Sequence, residues 1–90
     1  MGDTVVKTEM NHRLRRIEGQ IRGVQNMVDE DRDCREIVQQ LAAIRSAVQG
    51  ATAMFVQKYV SDCVADMGQM DPAAREKQIS ELVTMLGKIS

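Results

Sequence analysis

The sequence predicts an all-α protein in which a long central helix packs against two shorter helices. The 90 residues include one proline, one phenylalanine, one tyrosine and no tryptophan, so the core must be built from aliphatic side chains. Apolar residues recur at alternating steps of four and three, which is the spacing of one helix face, and no stretch shows the alternation of a strand. We therefore predict one helical domain over residues 1–90, with helices at about 7–28, 33–66 and 72–89.

The first helix follows a polar segment that ends near Lys7. Its apolar stripe consists of Met10, Leu14, Ile17, Ile21, Val24 and Val28. Its other faces carry the side chains of Lys7, His12, Arg13, Arg15, Arg16 and Arg22. Gly19 and Gly23 each cost a helix about 1 kcal/mol relative to alanine, so they mark a close approach either to another helix or to a phosphate backbone.

The second helix begins after an acidic segment at residues 29–33. Its stripe consists of Ile37, Leu41, Ile44, Val48, Ala51 and Phe55. Asp33 with Glu36 is a variant capping box, and Asp31 is the other candidate for the N-cap. Either choice puts Cys34 in the first turn, where the helix dipole and unpaired N–H groups favour the thiolate. The neighbouring carboxylates oppose that effect.

The two cysteines of the chain, Cys34 and Cys63, lie at the two ends of this helix. They are 29 residues apart, so they share one face but are separated by about 43 Å along the axis. The thiols cannot meet within one copy. If two copies pair antiparallel, each Cys34 lies beside the Cys63 of the partner, and a symmetric dimer with a four-helix bundle core carries two identical sites.

The third helix begins at Asp71 and Pro72, an N-cap followed by proline at the first helical position. Its apolar residues are Ile79, Leu82, Val83, Leu86 and Ile89. The middle helix has more apolar surface than two short neighbours can cover. We therefore expect the protein to form oligomers.

Composition and charge limit the classes of function that this chain can have. The chain has no apolar run of signal-peptide or membrane-spanning length, which predicts a cytoplasmic protein. In that reducing compartment two cysteines are expected to be reactive or metal-binding, with inert buried thiols as the alternative. Arg15 and Arg22 are one heptad apart and Arg45 can extend their patch, which a multimer would repeat into a surface able to contact DNA phosphates; an ordinary solvated helix face is an equal alternative. No nucleophile has an orienting base, so we predict no enzyme.

The segment HRLRRIEGQIRGV, the acidic break, the DC pair, QQLAAIRSAVQG and the cysteine spacing together resemble the CsoR/RcnR family of small bacterial repressors over residues 10–89. The resemblance implies a three-helix protomer that forms an antiparallel dimer and then a dimer of dimers. It also implies binding of operator DNA by basic residues and release by an inducer at the cysteines. The family's basic positions correspond here to Arg13, Arg15, Arg16 and Arg22, with Arg45 as an addition.

The residues that accompany the two cysteines limit the choice of inducer. Copper sensors of this family place a histidine four residues before the second cysteine, where this chain has Tyr59, a poor ligand for Cu(I). The only histidine, His12, lies among the arginines, and nickel and cobalt sensors need several histidines. Formaldehyde sensors use the first cysteine with the N-terminal amine, which leaves Cys63 unexplained. We expect Tyr59 to fill the core and the scattered methionines to pack rather than to bind copper.

Two cysteines without the histidine resemble the persulfide-sensing, CstR-like branch of the family. There, Cys34 would take sulfur from an inorganic or low-molecular-weight persulfide, and Cys63 of the other protomer would close a di-, tri- or tetrasulfide bridge. We therefore predict a DNA-binding repressor with persulfides or polysulfides as inducer and no cofactor. The alternatives are a Cu(I) sensor that uses Cys34 and Cys63, a formaldehyde sensor, and a helical oligomerisation module without a DNA role.

Overall fold

The computed structural model describes residues 4–88, which form three α-helices. They are α1 at Thr4–Asp29, α2 at Cys34–Met67 and α3 at Pro72–Lys88, and the described residues contain no strand. The all-α, three-helix prediction is confirmed. Helix α1 begins three residues before the predicted start, with Val6 half-buried along its first turn. The predicted end of the third helix at residue 89, with Ile89, lies outside the described residues.

Within residues 4–88, no helix combines the length and the apolar character that a membrane crossing requires. The described chain divides into two compact units, one ending at Phe55 and the other starting at Val56. The first unit contains α1 and the first part of α2. The second contains the rest of α2 and the whole of α3.

In the first unit, α1 and α2 run antiparallel. A Cβ atom placed on Gly50 would lie 3.5 Å from Nη1 of Arg13, whereas Ile17 lines one groove with Ala43 and Ala47. Ile17 is 7% exposed and Ala51 is 3% exposed, which makes them the most buried residues of the pair. The core of this unit is therefore small and depends on close approach at small residues.

The two predicted stripes divide into an inner and an outer half. The half-buried or buried members recur every seven residues: Met10, Ile17 and Val24 on α1, with Ile37, Ile44 and Ala51 on α2. Among the intervening members, Phe55 is half-buried and the others remain 45–54% exposed: Leu14, Ile21 and Val28 on α1, with Leu41 and Val48 on α2. Val38, next to the second set, is 62% exposed. A coiled-coil seam normally buries both halves, so one protomer satisfies only half of its own pattern.

The turn after α1 is closed by a left-handed residue. Asp31 has a φ of 54°. The Asp31 N–H donates to Val28 O at 3.1 Å and the Arg32 N–H donates to Met27 O at 2.9 Å. These two hydrogen bonds are the pair that defines a Schellman motif. Asp31 therefore ends α1, and the alternative that it caps α2 is wrong. Aspartate is one of the few non-glycine residues that tolerate this backbone conformation.

Asp33 is the N-cap of α2, as predicted. Its Oδ1 accepts the N–H of Arg35 at 3.2 Å, and its carbonyl accepts the N–H of Ile37 at 3.2 Å. The second half of the expected capping box does not form, because Glu36 directs its carboxylate to Arg32 Nε, also at 3.2 Å. Cys34 is consequently the first residue of α2.

Helix α3 starts as predicted, but it buries a different face. Asp71 Oδ1 accepts the N–H of Ala74 at 2.7 Å, which is an N-cap bond. Leu82 is buried and is flanked at helical spacing by the half-buried Gln78 and Met85. The remaining described members of the predicted apolar face are exposed, namely Ile79, Val83 and Leu86. The apolar pattern alone misplaced this face because one of its inner positions is a glutamine.

Arg75 joins the start of α3 to the end of α2. Its Nε donates to the carbonyl of Met67 and its Nη2 donates to the carbonyl of Met70, each at 3.2 Å. These carbonyls belong to the end of α2 and the turn after it, where helix geometry leaves acceptors unpaired. The guanidinium therefore fixes the turn around Gly68, where the sequence predicts a break.

Candidate sensing site and nucleic-acid interface

The two cysteines occupy different environments. Cys34 is exposed at the start of α2. Cys63 is 5% exposed and receives a hydrogen bond from Nε2 of Gln78, 3.0 Å from its Sγ. A dissolved reagent can reach the first thiol directly, whereas the second lies against a donor supplied by α3. The sequence pattern placed both residues on α2 but gave no sign of this difference.

Tyr59 lies one helical turn before Cys63 on α2. The Tyr59 hydroxyl donates to the Cys63 side chain, and this bond raises the pKa of Tyr59 above its ordinary value of 10.0. The negative charge that Cys63 can carry, partial burial and the charge of Glu81 raise this pKa further. The side chain is 41% exposed, so the expectation that Tyr59 fills the core is wrong.

The acidic groups near Cys34 are already engaged. Asp33 uses one carboxylate oxygen to accept the N–H of Arg35. Arg32 lies 3.2 Å from the carboxylate of Glu36 and 3.8 Å from that of Glu30, so one guanidinium partly neutralises both acids. The environment of Cys34 is therefore less negative than the residue count implies, and the positive end of α2 faces it.

A metal finds few donors in a single protomer. Among the described residues, no three histidine, cysteine, aspartate or glutamate side chains come together in an arrangement that could hold a metal ion. Around Cys63 the neighbouring groups are a phenol and a primary amide, which are weak ligands for a soft ion such as Cu(I). His12 is exposed on α1. The donor set at Cys63 does not fit a closed Cu(I) site.

The predicted DNA-contacting arginines are all exposed, but they differ in their ion pairs. Arg13 pairs with Glu9 at 3.2 Å and Arg22 pairs with Glu18 at 2.7 Å, each one turn along α1. Arg15, Arg16 and Arg45 have no ion pair in the described chain. If these arginines contact DNA, Arg13 and Arg22 would first have to give up a carboxylate, whereas Arg15, Arg16 and Arg45 would not.

The structure brings part of this basic set together around the α1–α2 pair. Arg13 and Arg16 line a groove with Gln20 and Ser46. Arg45 lines the adjoining groove, which shares Ser46. The buried Oε1 of Gln20 has no hydrogen-bond partner in the described chain. Arg15 and Arg22 line neither groove.

Sequence reasoning missed several residues that matter here. Gln78 and Arg75 act through contacts across the turn between helices, and no sequence pattern encodes those contacts. The pairing of Glu9 with Arg13 and of Glu18 with Arg22 could have been found from their spacing of four, which is the favourable spacing and order for an ion pair on a helix.

Residues 6–88 match the profile of the metal-sensitive transcriptional repressors. The chain is 37% identical to the copper-sensing transcriptional repressor CsoR of Bacillus subtilis (strain 168) over 84 residues, which are 93% of this chain and 81% of that protein.

Two solved structures have the same fold. The nickel-responsive transcriptional regulator InrS superposes with a TM-score of 0.80 at 31% identity, covering 92% of this chain and 91% of that one. A single-residue variant of the formaldehyde-responsive regulator FrmR from Salmonella enterica serovar Typhimurium superposes with a TM-score of 0.86 at 26% identity, covering 100% of both chains. Regulators with different inducers thus share this architecture, and the fold does not choose among inducers.

Proposed function

This chain belongs to the family of metal-sensitive transcriptional repressors, and on that premise we propose that it represses transcription from an operator until reactive sulfur species release it. It is a repressor and not an enzyme. The proposal assigns one DNA-binding and sensing role to the whole chain, in the cytoplasm where the operator is. The inducer class is a persulfide or polysulfide.

The environment of Cys63 carries the choice of inducer. Where the resemblance predicts a histidine ligand in copper sensors, this chain has Tyr59, and its hydroxyl donates to the Cys63 side chain. Gln78 donates to the same sulfur at 3.0 Å. Both groups act as hydrogen-bond donors, which suits an anionic sulfur and adds no soft ligand for Cu(I).

The proposed chemistry begins at the exposed thiol. The thiolate of Cys34 attacks the outer sulfur of a persulfide R–S–SH, forming Cys34–S–SH and releasing RS⁻. The thiolate of Cys63 from the other protomer then attacks Sγ of Cys34; the new S–S bond forms, the S–SH bond breaks and HS⁻ leaves. The two cysteines are oxidised and the sulfane sulfur is reduced to sulfide. When Cys34 carries a longer sulfur chain, Cys63 instead attacks the sulfur next to the terminal one; the bond to the terminal sulfur breaks, HS⁻ leaves and the bridge is a tri- or tetrasulfide.

The assembly that this bridge requires is supported by the exposed apolar surface. The outer halves of the α1 and α2 stripes present Leu14, Ile21, Leu41 and Val48 at 45–50% exposure. Apolar side chains recurring at helical spacing on a small protomer favour burial against a second copy. We propose that this face forms the antiparallel homodimer, which can pair again into a homotetramer.

DNA binding is proposed for the exposed arginines of the first unit. Arg13, Arg15, Arg16 and Arg22 lie on α1 and Arg45 lies on α2, and oligomerisation multiplies them along one assembly. We expect these arginines to attract DNA phosphates independently of sequence. This attraction would position the protein for recognition of the operator.

The second candidate is Cu(I) sensing, which is favoured by the similarity to a copper-sensing repressor. In that case Cys34 and Cys63 of different protomers would supply the ligands. The site would lack the histidine that the resemblance assigns to copper sensors.

One experiment separates the candidates. The reduced protein is treated in parallel with inorganic polysulfide, hydrogen peroxide and Cu(I), and intact mass without reductant is measured beside fluorescence anisotropy with the upstream DNA. We expect polysulfide to give a covalent dimer that contains additional whole sulfur atoms and no longer binds DNA, and we expect Cys34→Ala and Cys63→Ala each to prevent the dimer. Retention of one Cu(I) per protomer with DNA release, alongside indifference to polysulfide, would assign the copper function instead.

A further inference from the structure

Cys63 is the only described cysteine that is buried, and side chains from two helices interact with it. Nε2 of Gln78 donates to its Sγ from α3 at 3.0 Å, and a hydrogen bond to the same side chain raises the pKa of Tyr59, which lies one turn earlier on α2. The folded state does not require either bond, because the sulfur of a neutral thiol is a weak hydrogen-bond acceptor. Two donors are worth most when the sulfur is negative, since hydrogen bonds to ionised groups are about twice as strong as neutral ones.

Burial makes such help necessary. An anion that loses water without replacement donors is strongly disfavoured, and Cys63 is 5% exposed. The amide of Gln78 and the hydroxyl of Tyr59 replace water while keeping the sulfur aligned. The exposed Cys34, by contrast, can draw its donors from solvent and from the free N–H groups at the start of α2.

Building on the proposed function, we propose that Gln78 and Tyr59 are positioning residues that hold Cys63 as the nucleophile of the second, bridge-closing step. Their contacts give the two cysteines different roles. Cys34 collects sulfur from solution, and Cys63 reacts only with sulfur already carried by Cys34 of the partner. In this step the Cys63–Cys34 bond forms, the bond from Cys34 to its terminal sulfur breaks, and HS⁻ carries away the electron pair.

Because Gln78 belongs to α3, that helix is part of the reactive site. Once Cys63 is bridged, its sulfur is neutral and accepts hydrogen bonds weakly, so the bond to Gln78 loses most of its strength. Bridge formation thereby loosens one tie between α2 and α3 inside the second unit. This gives the inducer a route to change the position of α3 without contacting it.

The test follows the two steps separately. Reduced wild-type protein, Gln78→Leu and Tyr59→Phe are mixed with inorganic polysulfide, quenched at intervals with an alkylating agent and analysed by intact mass. We expect sulfur transfer to Cys34 to proceed at the wild-type rate in both variants. Formation of the covalent dimer should slow by about tenfold in Gln78→Leu, and by less in Tyr59→Phe, so that monomers with extra sulfur accumulate.

Two controls separate positioning from stability. Gln57→Leu makes the same chemical change at an exposed site on α2 and should leave both steps unchanged. Arg75→Ala removes the contacts of α3 with the carbonyls of Met67 and Met70 without touching Cys63, so it should lower stability while bridging stays near the wild-type rate. Circular dichroism and DNA binding of the reduced variants verify that each is folded.

The outcomes are distinct. If Gln78→Leu and Tyr59→Phe bridge at the wild-type rate, the positioning role is wrong while the persulfide function stands. Equal slowing in Arg75→Ala and Gln78→Leu would also overturn it, since loosening of α3 would then explain both. If wild-type protein forms no bridge and takes up no sulfur at Cys34, the proposed function itself fails and the positioning role fails with it.

Discussion

The ion pairs of the α1 arginines predict which of these residues can contribute to DNA affinity without first breaking a salt bridge. Arg16 is exposed, lines the groove that it shares with Ser46 and has no ion pair in the described chain. If Arg16 contacts a phosphate as proposed, replacing it with glutamine removes one contact per protomer bound to DNA. Each lost contact reduces the steepness of log affinity against log salt concentration by about 0.9. When the salt concentration rises fourfold, the affinity of the variant should therefore fall less than that of wild type, by a factor of about 3.5 per protomer.

Arg22 should respond differently because Glu18 holds it at 2.7 Å. Exposed pairs of this kind contribute roughly 0.3–0.5 kcal/mol, and Arg22 must give that up when it turns to a phosphate. Glu18→Gln releases the arginine and removes a negative charge from the same face. We therefore expect Glu18→Gln to bind DNA more tightly than wild type, with a steeper dependence on salt.

The assay is fluorescence anisotropy of an upstream DNA fragment titrated at four or more salt concentrations with fully reduced protein. Arg32→Gln is the control, because Arg32 already neutralises Glu30 and Glu36 in the turn after α1. It should leave the slope unchanged. If Arg16→Gln has the wild-type slope, or if Arg32→Gln lowers it equally, α1 is not the DNA-contacting surface.

Four further predictions concern stability and titration. Tyr59 is the only tyrosine, and its absorbance should titrate above 10.0 in wild type and move back towards 10.0 in Cys63→Ala, which removes the first cause of the shift; equal midpoints would contradict the contact. Asp31→Gly should raise the free energy of unfolding by about 0.5–1 kcal/mol in urea denaturation, because glycine adopts the left-handed conformation without strain; a loss would refute this. Gly19→Ala should raise it by about 1 kcal/mol, since no neighbouring side chain or other helix lies within 4 Å of an added Cβ; a lower melting temperature would show that this surface is packed in the assembly. Asp71→Ala should lower it by about 1 kcal/mol through loss of the N-cap, and an unchanged urea midpoint would speak against that cap.

The helices could be predicted from sequence because their signals are local. Asp33 and Asp71 each precede a periodic apolar segment, and both are N-caps in the structure. The role of Asp31 could not be separated from that of Asp33 by residue type, because acidic residues suit both positions. The φ of 54° at Asp31 and the hydrogen bond from the Arg35 N–H to Asp33 Oδ1 distinguish the residue that ends one helix from the residue that begins the next.

The candidate site was predictable only in part, for a similar reason. The spacing of Tyr59 and Cys63 puts them one turn apart on any α-helix. The contact of Gln78 with Cys63 depends on how α3 rotates against α2, and a search for apolar periodicity passes over a glutamine on the inner face. The inner and outer halves of the α1 stripe likewise look identical in sequence, since Ile17 and Ile21 differ only in what lies opposite them.

The turn between α1 and α2 has a consequence for the order of folding. Its backbone groups are satisfied by hydrogen bonds between residues at most five apart, from Met27 to Arg32 and from Asp33 to Ile37. Short-range contacts of this kind have a small loop-closure entropy, and proteins rich in them fold in microseconds to milliseconds. The hairpin of α1 with the first part of α2 can therefore assemble while later residues are still being synthesised. The apolar outer face of this hairpin would then be formed and exposed before the chain is complete.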